Sequence, residues 1–201
     1  VADPATFYLQ YSASIQVLCL KDPQKAAGAV ACFSSYLRGN MDAIGNENLV
    51  PFPYELAHVE NYVTLERIRF GEKLKVCYEF EKGWDMDFDI PVLSLQPIVE
   101  NAIKYGVGDK KGGGTVWISV RREGDSALVE IRDDGVGVDA RNLNELPIRD
   151  DGKTHVGLHN VQARVKLMAG GSLEFFSKKD WGTIVTIKVP GRMKIHEYTG
   201  S

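Results

Sequence analysis

The stretch LSLQPIVENAIKYG, residues 93–106, places a side-chain amide and an amine within one predicted helix. Apolar residues spaced i, i+3, i+4 and i+7 predict the buried face of this helix, namely Leu95, Ile98, Val99 and Ala102. Asn101 and Lys104 are three residues apart, so their side chains are neighbours beside that face. An Asn carbonyl oxygen suits Mg²⁺, and a Lys supplies positive charge for a phosphate. Taken alone, these two residues fit the solvent-facing side of an amphipathic helix better.

A second stretch, IRDDGVGVD, follows the end of a predicted strand. Gly135 and Gly137 would let the backbone turn sharply and approach a flat ligand closely. The Asp133 carboxylate can accept a hydrogen bond from an exocyclic amine such as that of adenine. An ordinary Asp-Gly turn explains the same residues, so this pattern by itself leaves both interpretations open.

Two further glycine-containing stretches lie towards the end of the chain. A polar segment, residues 142–154, leads into Gly157 and Leu158, where an amphipathic helix is predicted to begin. The free N–H groups at a helix start can bind an anion, although a plain loop entering a helix has the same sequence. In DWGTIVTIKVP, Gly182 and Thr183 open a predicted strand, which by itself indicates only a turn.

The elements that must position these residues form two groups along the chain. Residues 1–70 are predicted to be helical, with helices at 22–38, which Gly39-Asn40 should end, and at 53–71. The later part alternates with period two, which predicts strands at 73–81, 115–122, 126–134, 172–178 and 182–190. The expected fold class is α+β, a mostly antiparallel sheet with helices on one face. We expect a helical segment at 1–70, a second domain at 71–192 and a tail at 193–201.

Composition excludes several classes of protein. The formal net charge is −3 and no basic block stands out, which argues against nucleic acid as a partner. No apolar run reaches the roughly 18 residues that a membrane-spanning helix needs. Three cysteines without metal-ligand spacing predict reduced, buried thiols. Because the chain starts at VADPATFYLQ without methionine, we expect a cytosolic fragment of a longer protein whose upstream part contained such a span.

The four stretches, in this order, closely resemble the N, G1, G2 and G3 boxes of the GHKL ATPase superfamily, which contains gyrase, Hsp90, MutL and histidine kinases. LQPIVENAIKYG and HVGLHNVQARV are similar to the LytS/YehU-type sensor histidine kinases. ELAHVENYVTLERIRFGEKLKV resembles their linker helix, so the resemblance covers residues 7–190. It implies a Bergerat-type two-layer α/β sandwich that holds ATP between its helical layer and a lid.

The resemblance also implies roles for the residues of the first box. Asn101 would coordinate Mg²⁺, Lys104 would contact phosphate, and Tyr105 would lie near the nucleotide. Gyrase-like relatives carry a water-activating glutamate four residues before the metal-binding Asn. This chain has Pro97 there, so ATP hydrolysis by that route is not expected.

The remaining boxes imply contacts with the base and the phosphates. Asp133 would bind the adenine amine in a pocket shaped by Gly135 and Gly137. Backbone at Gly157 and Leu158 would face the phosphates, and Thr183 would lie under the base. The implied partners are a second copy of the chain, as a homodimer, and a response regulator protein.

One departure from the family concerns the phosphoacceptor. These kinases carry a motif like PHFLFN on the first helix, where this chain has ATFYLQ and Thr6 in place of the histidine. The four histidines lie elsewhere, at His58, His155, His159 and His196, and are expected to be surface or packing residues. The expected function is the ATP-binding portion of a sensor histidine kinase. The alternatives are a nucleotide-binding regulatory module, an anti-sigma-type kinase and, less favoured, a hydrolytic ATPase.

Overall fold

A computed structural model describes residues 4–43, 48–84, 86–146 and 156–191. Three long helices come first: α1 (Pro4–Lys21), α2 (Pro23–Asp42) and α3 (Phe52–Phe70). Two short strands, β1 (Leu49–Pro51) and β3 (Asp89–Pro91), pair with each other antiparallel. The tail from 192 onward, with His196, and the segment 147–155, with His155, lie outside the described residues.

A five-stranded sheet forms the second layer. Its strands are β2 (Leu74–Phe80), β4 (Gly114–Glu123), β5 (Ser126–Asp133), β6 (Ser172–Lys178) and β7 (Gly182–Pro190). They lie in the order β2-β4-β5-β7-β6. The β2–β4 pair is parallel and the three other pairs are antiparallel, so the predicted α+β class with a mostly antiparallel sheet is confirmed. The domain boundaries at 70 and 192 remain predictions.

One face of the sheet and the helices share the core. Directly opposed residues on neighbouring strands point to the same side, so cross-strand rows identify the inner face. One row joins Ile118, Ile131 and Val185, all of them buried. The helices α4 (Gln96–Asn101) and α5 (Val156–Ala169) pack against each other over this layer. The predicted buried face of the first box is confirmed, since its four apolar residues are buried.

Pro97 is expected to begin or kink the first-box helix, and the observed helix begins at Gln96, with Pro97 next to it. Leu93, which belongs to the stretch 93–106, lies outside the helix with a positive φ of 54°. After Asn101 the backbone widens into a π-helical turn, Ala102–Val107, in which Gly108 N–H donates to Ile103 C=O at 2.7 Å. Such widened turns occur often at functional sites.

Helix α2 also differs from its prediction. Gly39-Asn40 was expected to end it, yet it continues to Asp42. Gly39 serves close packing instead, because an added Cβ there would lie 2.5 Å from Nδ1 of the His58 ring on α3. The start of α2 follows the expected chemistry, since the Asp22 side chain accepts a hydrogen bond from Lys25 N–H.

The thiols and the helices bear on two expectations from composition. All three cysteines are free, but Cys19 and Cys77 are exposed and Cys32 is half-buried, so the prediction of buried thiols was wrong. Cys77 lies on the outer face of β2, where alternation leaves it in solvent.

Within the described ranges, no helix combines the length and apolar character that crossing a membrane requires.

A glycine contact between the π-helical turn and the end of β5 yields a prediction. An added Cβ at Gly135 would lie 2.1 Å from the backbone carbon of Gly106, whereas one at Gly112 would meet nothing within 4 Å. We expect Gly135→Ala to lower the free energy of unfolding by more than about 2 kcal/mol, and Gly112→Ala to change it by less than about 1 kcal/mol. Urea denaturation of both variants measures the difference, and equal unfolding midpoints would contradict the close approach.

Candidate functional site

A solvent-open cavity lies between the sheet and the helices. The walls come from α4 and the π-helical turn, the ends of β5 and β7, and the first turn of α5. The lining residues are Ile98, Asn101, Ala102, Tyr105, Gly106, Ile131, Asp133, Gly137, Val138, Leu146, Leu158, Phe175, Thr183 and Val185.

Most of the predicted site residues meet at this cavity. Six of them line it: Asn101, Tyr105, Asp133, Gly137, Leu158 and Thr183. Three do not, namely Lys104, Gly135 and Gly157. The stretches that carry the six residues are far apart in the sequence, so the fold alone brings them together.

Asp133 is the buried polar group of the cavity, with 4% of its surface exposed. It ends β5 and faces Thr183 of β7 across the strand pair. Its Oδ1 accepts a hydrogen bond from Gly135 N–H at 2.8 Å. Burial raises the pKa of the Asp133 carboxyl to about 6, against the lowering effect of hydrogen bonds from Gly135 and Thr183. A carboxylate in this position is a hydrogen-bond acceptor at neutral pH.

Ser177 belongs to the same cross-strand row and was missed from the sequence. It pairs with Thr183, and the two hydroxyl oxygens lie 2.9 Å apart. The Ser177 hydroxyl also donates to Gly182 C=O at 3.0 Å and accepts from Val138 N–H at 2.9 Å. It therefore ties the segment after β5 to the hairpin of β6 and β7. The signal was available, because alternation in SLEFFSK places Ser177 on the same inner face as Leu173 and Phe175.

Glycines let the backbone close around Asp133. An added Cβ at Gly106 would lie 2.6 Å from Asp133 Oδ1, and one at Gly182 would lie 2.0 Å from the Asp133 carbonyl oxygen. Gly182 also has a positive φ of 114°. Gly135 packs against Gly106 and so supports the cavity wall from behind. The sequence indicated the glycines of the G1 box, but not that Gly106 would meet Asp133.

The amide of Asn101 is oriented by its own helix. Its Nδ2 donates to the Pro97 carbonyl oxygen at 2.7 Å. The carbonyl oxygen Oδ1 is then the side-chain atom suited to a cation. Lys104 lies one turn further, where its Nζ pairs with Glu100 Oε1 at 2.5 Å and the side chain is only 11% exposed. A phosphate would have to compete with Glu100 for this ammonium group.

Helix α5 closes the cavity from another side. Leu158 lines the cavity, and an added Cβ at Gly157 would lie 3.8 Å from the Pro97 side chain of α4. Of the polar segment 142–154, only residues up to 146 are described, and Leu146 lines the cavity. His159 is half-buried in the first turn of α5. The apolar contributions of Leu146, Val138 and Phe175 were not anticipated from the sequence.

The donor groups present fit Mg²⁺ bound through a nucleotide. Across the described parts of the chain, no group of three or more His, Cys, Asp or Glu side chains could hold a metal ion. Mg²⁺ typically keeps several waters and needs only one or two protein ligands besides substrate phosphates. The carbonyl oxygen of Asn101 at the cavity wall meets that requirement.

The raised pKa of Asp133 predicts a pH-dependent stability effect. Its folded value of about 6 exceeds the ordinary 3.8, so burial of the carboxylate destabilises the ligand-free fold fully above pH 6 and not at all below 3.8. Asp133→Asn should therefore stabilise the protein at pH 8, by on the order of 2–3 kcal/mol, and progressively less as the pH falls. Thermal unfolding at pH 8 and pH 4.5 measures this, with exposed Asp125→Asn as control. An equal gain at both pH values would contradict the assignment.

Comparison with known proteins extends these observations. The sequence profile of the family described as histidine kinase-, DNA gyrase B-, and HSP90-like ATPase matches residues 87–193, and a histidine kinase profile matches residues 10–74. The sensor histidine kinase YpdA of Escherichia coli is 33% identical over 85% of this chain and 30% of its own length. The sensor protein LytS of Streptococcus mutans is 27% identical over 92% of this chain and 32% of its own length. The chain thus spans about a third of the length of these two relatives.

Solved structures support the same fold. The histidine kinase domain of the blue-light activated histidine kinase EL346 from Erythrobacter litoralis superposes with a TM-score of 0.51 at 17% identity. The match covers 87% of this chain and 80% of that one. The resemblance to the LytS-type kinases is confirmed by the two profiles and by LytS itself. Because the first profile matches more than half of the sequence, the chain belongs to the histidine kinase-, DNA gyrase B- and HSP90-like ATPase family.

Proposed function

We propose that the chain is the ATP-binding and dimerisation portion of a two-component sensor histidine kinase. In this proposal it binds Mg²⁺–ATP for phosphate transfer to a histidine and relay to a response regulator protein. The whole protein would be a membrane sensor of which this is a cytoplasmic portion. The observation that carries the proposal is the meeting of Asn101, Asp133, Leu158 and Thr183 at one cavity, since each comes from a different one of the four boxes.

The base would bind at the sheet end of the cavity. Asp133 is ionised at neutral pH, and its carboxylate would accept a hydrogen bond from the exocyclic amine of adenine. Thr183 lies beside it and would contact the same edge of the base. The apolar walls, among them Ile98 and Phe175, suit the faces of a flat aromatic ring. Guanine presents a carbonyl oxygen where adenine has the amine, so Asp133 would disfavour it.

The phosphates would lie towards α4 and the first turn of α5. Asn101 would hold Mg²⁺ through its carbonyl oxygen, and the metal ion would neutralise charge on the phosphates when bound. The N–H groups at Gly157 and Leu158 would donate to phosphate oxygens. Lys104 would exchange its ion pair with Glu100 for a contact with the phosphates, which carry more negative charge than one carboxylate. Pro97 offers no group that could activate water, which favours phosphate transfer over hydrolysis.

Removing either polar group tests the nucleotide site. We expect Asn101→Ala to abolish most metal-dependent affinity for ATP, and Asp133→Ala to remove the preference for adenine over guanine nucleotides. Loss of one buried contact of about 1–3 kcal/mol lowers affinity roughly ten- to hundredfold. Isothermal titration with ATP and GTP measures both effects. The exposed Asn160→Ala and Asp125→Ala variants serve as matched controls. Unchanged affinities in both site variants would refute the site.

The helical segment is proposed to form a homodimer. Helix α1 exposes apolar side chains that nothing in the described chain covers fully, including Leu20 at 90% and Leu9 at 71% exposure. A symmetric pair of copies would bury the same patch on each chain. Helix α2 also exposes an apolar side chain, Val30.

A nucleotide-binding regulatory module is the second candidate function, and Thr6 is the observation that favours it. Thr6 lies within α1. By the resemblance to the family, it would occupy the place of the phosphoacceptor histidine. Phosphate transfer depends on an acceptor placed in line with the γ-phosphate, and a threonine hydroxyl also needs a base beside it. Neither Ala5 nor Phe7 supplies a base.

The two functions differ in their prediction for self-phosphorylation. We expect the chain to bind ATP without forming phosphohistidine, and Thr6→His to gain acid-labile label from γ-labelled ATP. Thr6→Ala is the matched control and should remain unlabelled. Label on the unchanged chain, mapped to any of its four histidines, would show that the acceptor lies elsewhere.

A further inference from the structure

A turn of backbone, residues 92–95, connects β3 to α4 and is held from two sides. On one side, the Glu55 carboxylate of α3 accepts hydrogen bonds from Leu93 N–H at 2.7 Å, Ser94 N–H at 2.9 Å and Leu95 N–H at 3.2 Å. On the other side, the Arg164 guanidinium of α5 donates to Val92 C=O and Leu93 C=O, each at 2.8 Å. The sequence analysis assigned no role to either charged side chain.

The two charges complement the peptide dipoles between them. Glu55 accepts hydrogen bonds from the N–H groups and Arg164 donates hydrogen bonds to the C=O groups. The dipoles of the peptide units in the turn therefore lie between a negative and a positive group. Burial raises the pKa of Glu55, although the three N–H donors and Arg164 oppose that shift. Burial lowers the pKa of Arg164 while Glu55 opposes this change. The arrangement also holds Leu93 at its positive φ of 54°.

The turn at residues 92–95 positions the start of α4. This helix has only six residues, and a helix so short depends on its surroundings for its place. Its first residue, Gln96, also contacts the helical segment, donating to the Tyr36 hydroxyl at 2.6 Å and lying 2.6 Å from His58 Nε2. Asn101 follows on the same helix, and Leu158, on the helix of Arg164, lines the same cavity.

We propose that Glu55 is a positioning residue for the metal-binding side of the nucleotide site. By fixing the start of α4 against α3, it sets where the Asn101 carbonyl oxygen points, although it does not itself reach the cavity. The hydrogen-bonding groups for adenine, Asp133 and Thr183, lie on the sheet and do not depend on this contact, while α4 supplies the apolar side chain of Ile98 to the wall beside the base. Displacement of α3 would therefore change the affinity for metal-bound nucleotide more than the affinity for the base. This inference rests on the proposed function.

The test separates metal-dependent from metal-independent binding. Affinity for a fluorescent ATP analogue is measured with Mg²⁺ and with EDTA, and the ratio reports the contribution of the metal contact. Glu55→Gln replaces one acceptor oxygen by an NH₂ group that faces backbone N–H donors. It should reduce the ratio by about tenfold, the lower end of what mutation of a group that orients a metal ligand typically costs. The affinity in EDTA should change less than about twofold, since Asp133 and Thr183 are untouched.

Glu66→Gln is the matched control. Glu66 is a second buried carboxylate on α3, but it bonds Tyr11 of α1 and Arg69 of its own helix rather than α4. It should lower thermal stability and leave the ratio unchanged, so a general loss of stability cannot mimic the effect. If Glu55→Gln does not fold, Arg164→Lys, which loses the two-pronged contact with the turn, should reduce the ratio in its place.

A third variant distinguishes an error about Glu55 from an error about the nucleotide site. Asp133→Ala serves as the reference variant, because it removes the base contact. If it weakens binding while Glu55→Gln and Arg164→Lys keep the ratio of the unchanged chain, Glu55 does not position the site and the inference is overturned. If Asp133→Ala binds as the unchanged chain does, the nucleotide site is wrong and the inference falls with it. An equal fall in the ratio for Glu66→Gln would also overturn it.

Discussion

The burial of one carboxylate at the end of β5 constrains the structure around the cavity. Little of Asp133 is open to water, so the chain supplies hydrogen bonds, and they come from the turn after β5 and from the neighbouring strand. The backbone must approach closely to do so, which admits only glycine at Gly106 and Gly182. These hydrogen bonds offset only part of the effect of burial, so the pKa of the carboxyl stays raised. A ligand that donated a further hydrogen bond there would gain more than at a solvated carboxylate.

The helical segment is joined to the sheet layer through buried polar contacts as well as apolar packing. Tyr36 and His58 stack with ring centroids 5.3 Å apart, and both meet Gln96 at the start of α4. Burial lowers the pKa of His58, so a neutral ring is favoured in this position. Polar contacts of this kind require definite directions, whereas apolar side chains can slide. The segment therefore has a defined orientation relative to the cavity.

Much of the fold could be predicted from the sequence because its periodicities are clear. All five strands of the main sheet and the helices α3 and α5 were expected near their observed limits. The C-terminal end of α2 and the turn before α4 were not, since long-range contacts decide them. A glycine commonly ends a helix, but Gly39 lies inside α2, where the His58 ring leaves no room for a side chain. Pro97 indicated the start of α4, whereas the conformation of Leu93 depends on Glu55 and Arg164, which are distant in sequence.

The site could be predicted in part for the same reason. Short-range patterns indicated Asn101 and Asp133, and the resemblance joined them into one cavity. Neither could show that Lys104 pairs with Glu100. The same residues at the same spacing are compatible with an ion pair on the helix and with a lysine that contacts phosphate. Ser177 was detectable by alternation, yet its importance depends on which strand lies beside β6. Register between strands far apart in sequence was the missing information.

The cross-strand row of Asp133, Thr183 and Ser177 also bears on how the protein assembles. Asp133 belongs to the hairpin of β4 and β5, whose turn joins Glu123 to Ser126, and the other two residues belong to the hairpin of β6 and β7. Hairpins close quickly because their contacts are local, whereas pairing β5 with β7 must close a long loop. The base end of the cavity therefore lies on the seam between two hairpins and forms only when they dock. A molecule that binds there would contact both hairpins, and its binding free energy would stabilise their pairing in the sheet.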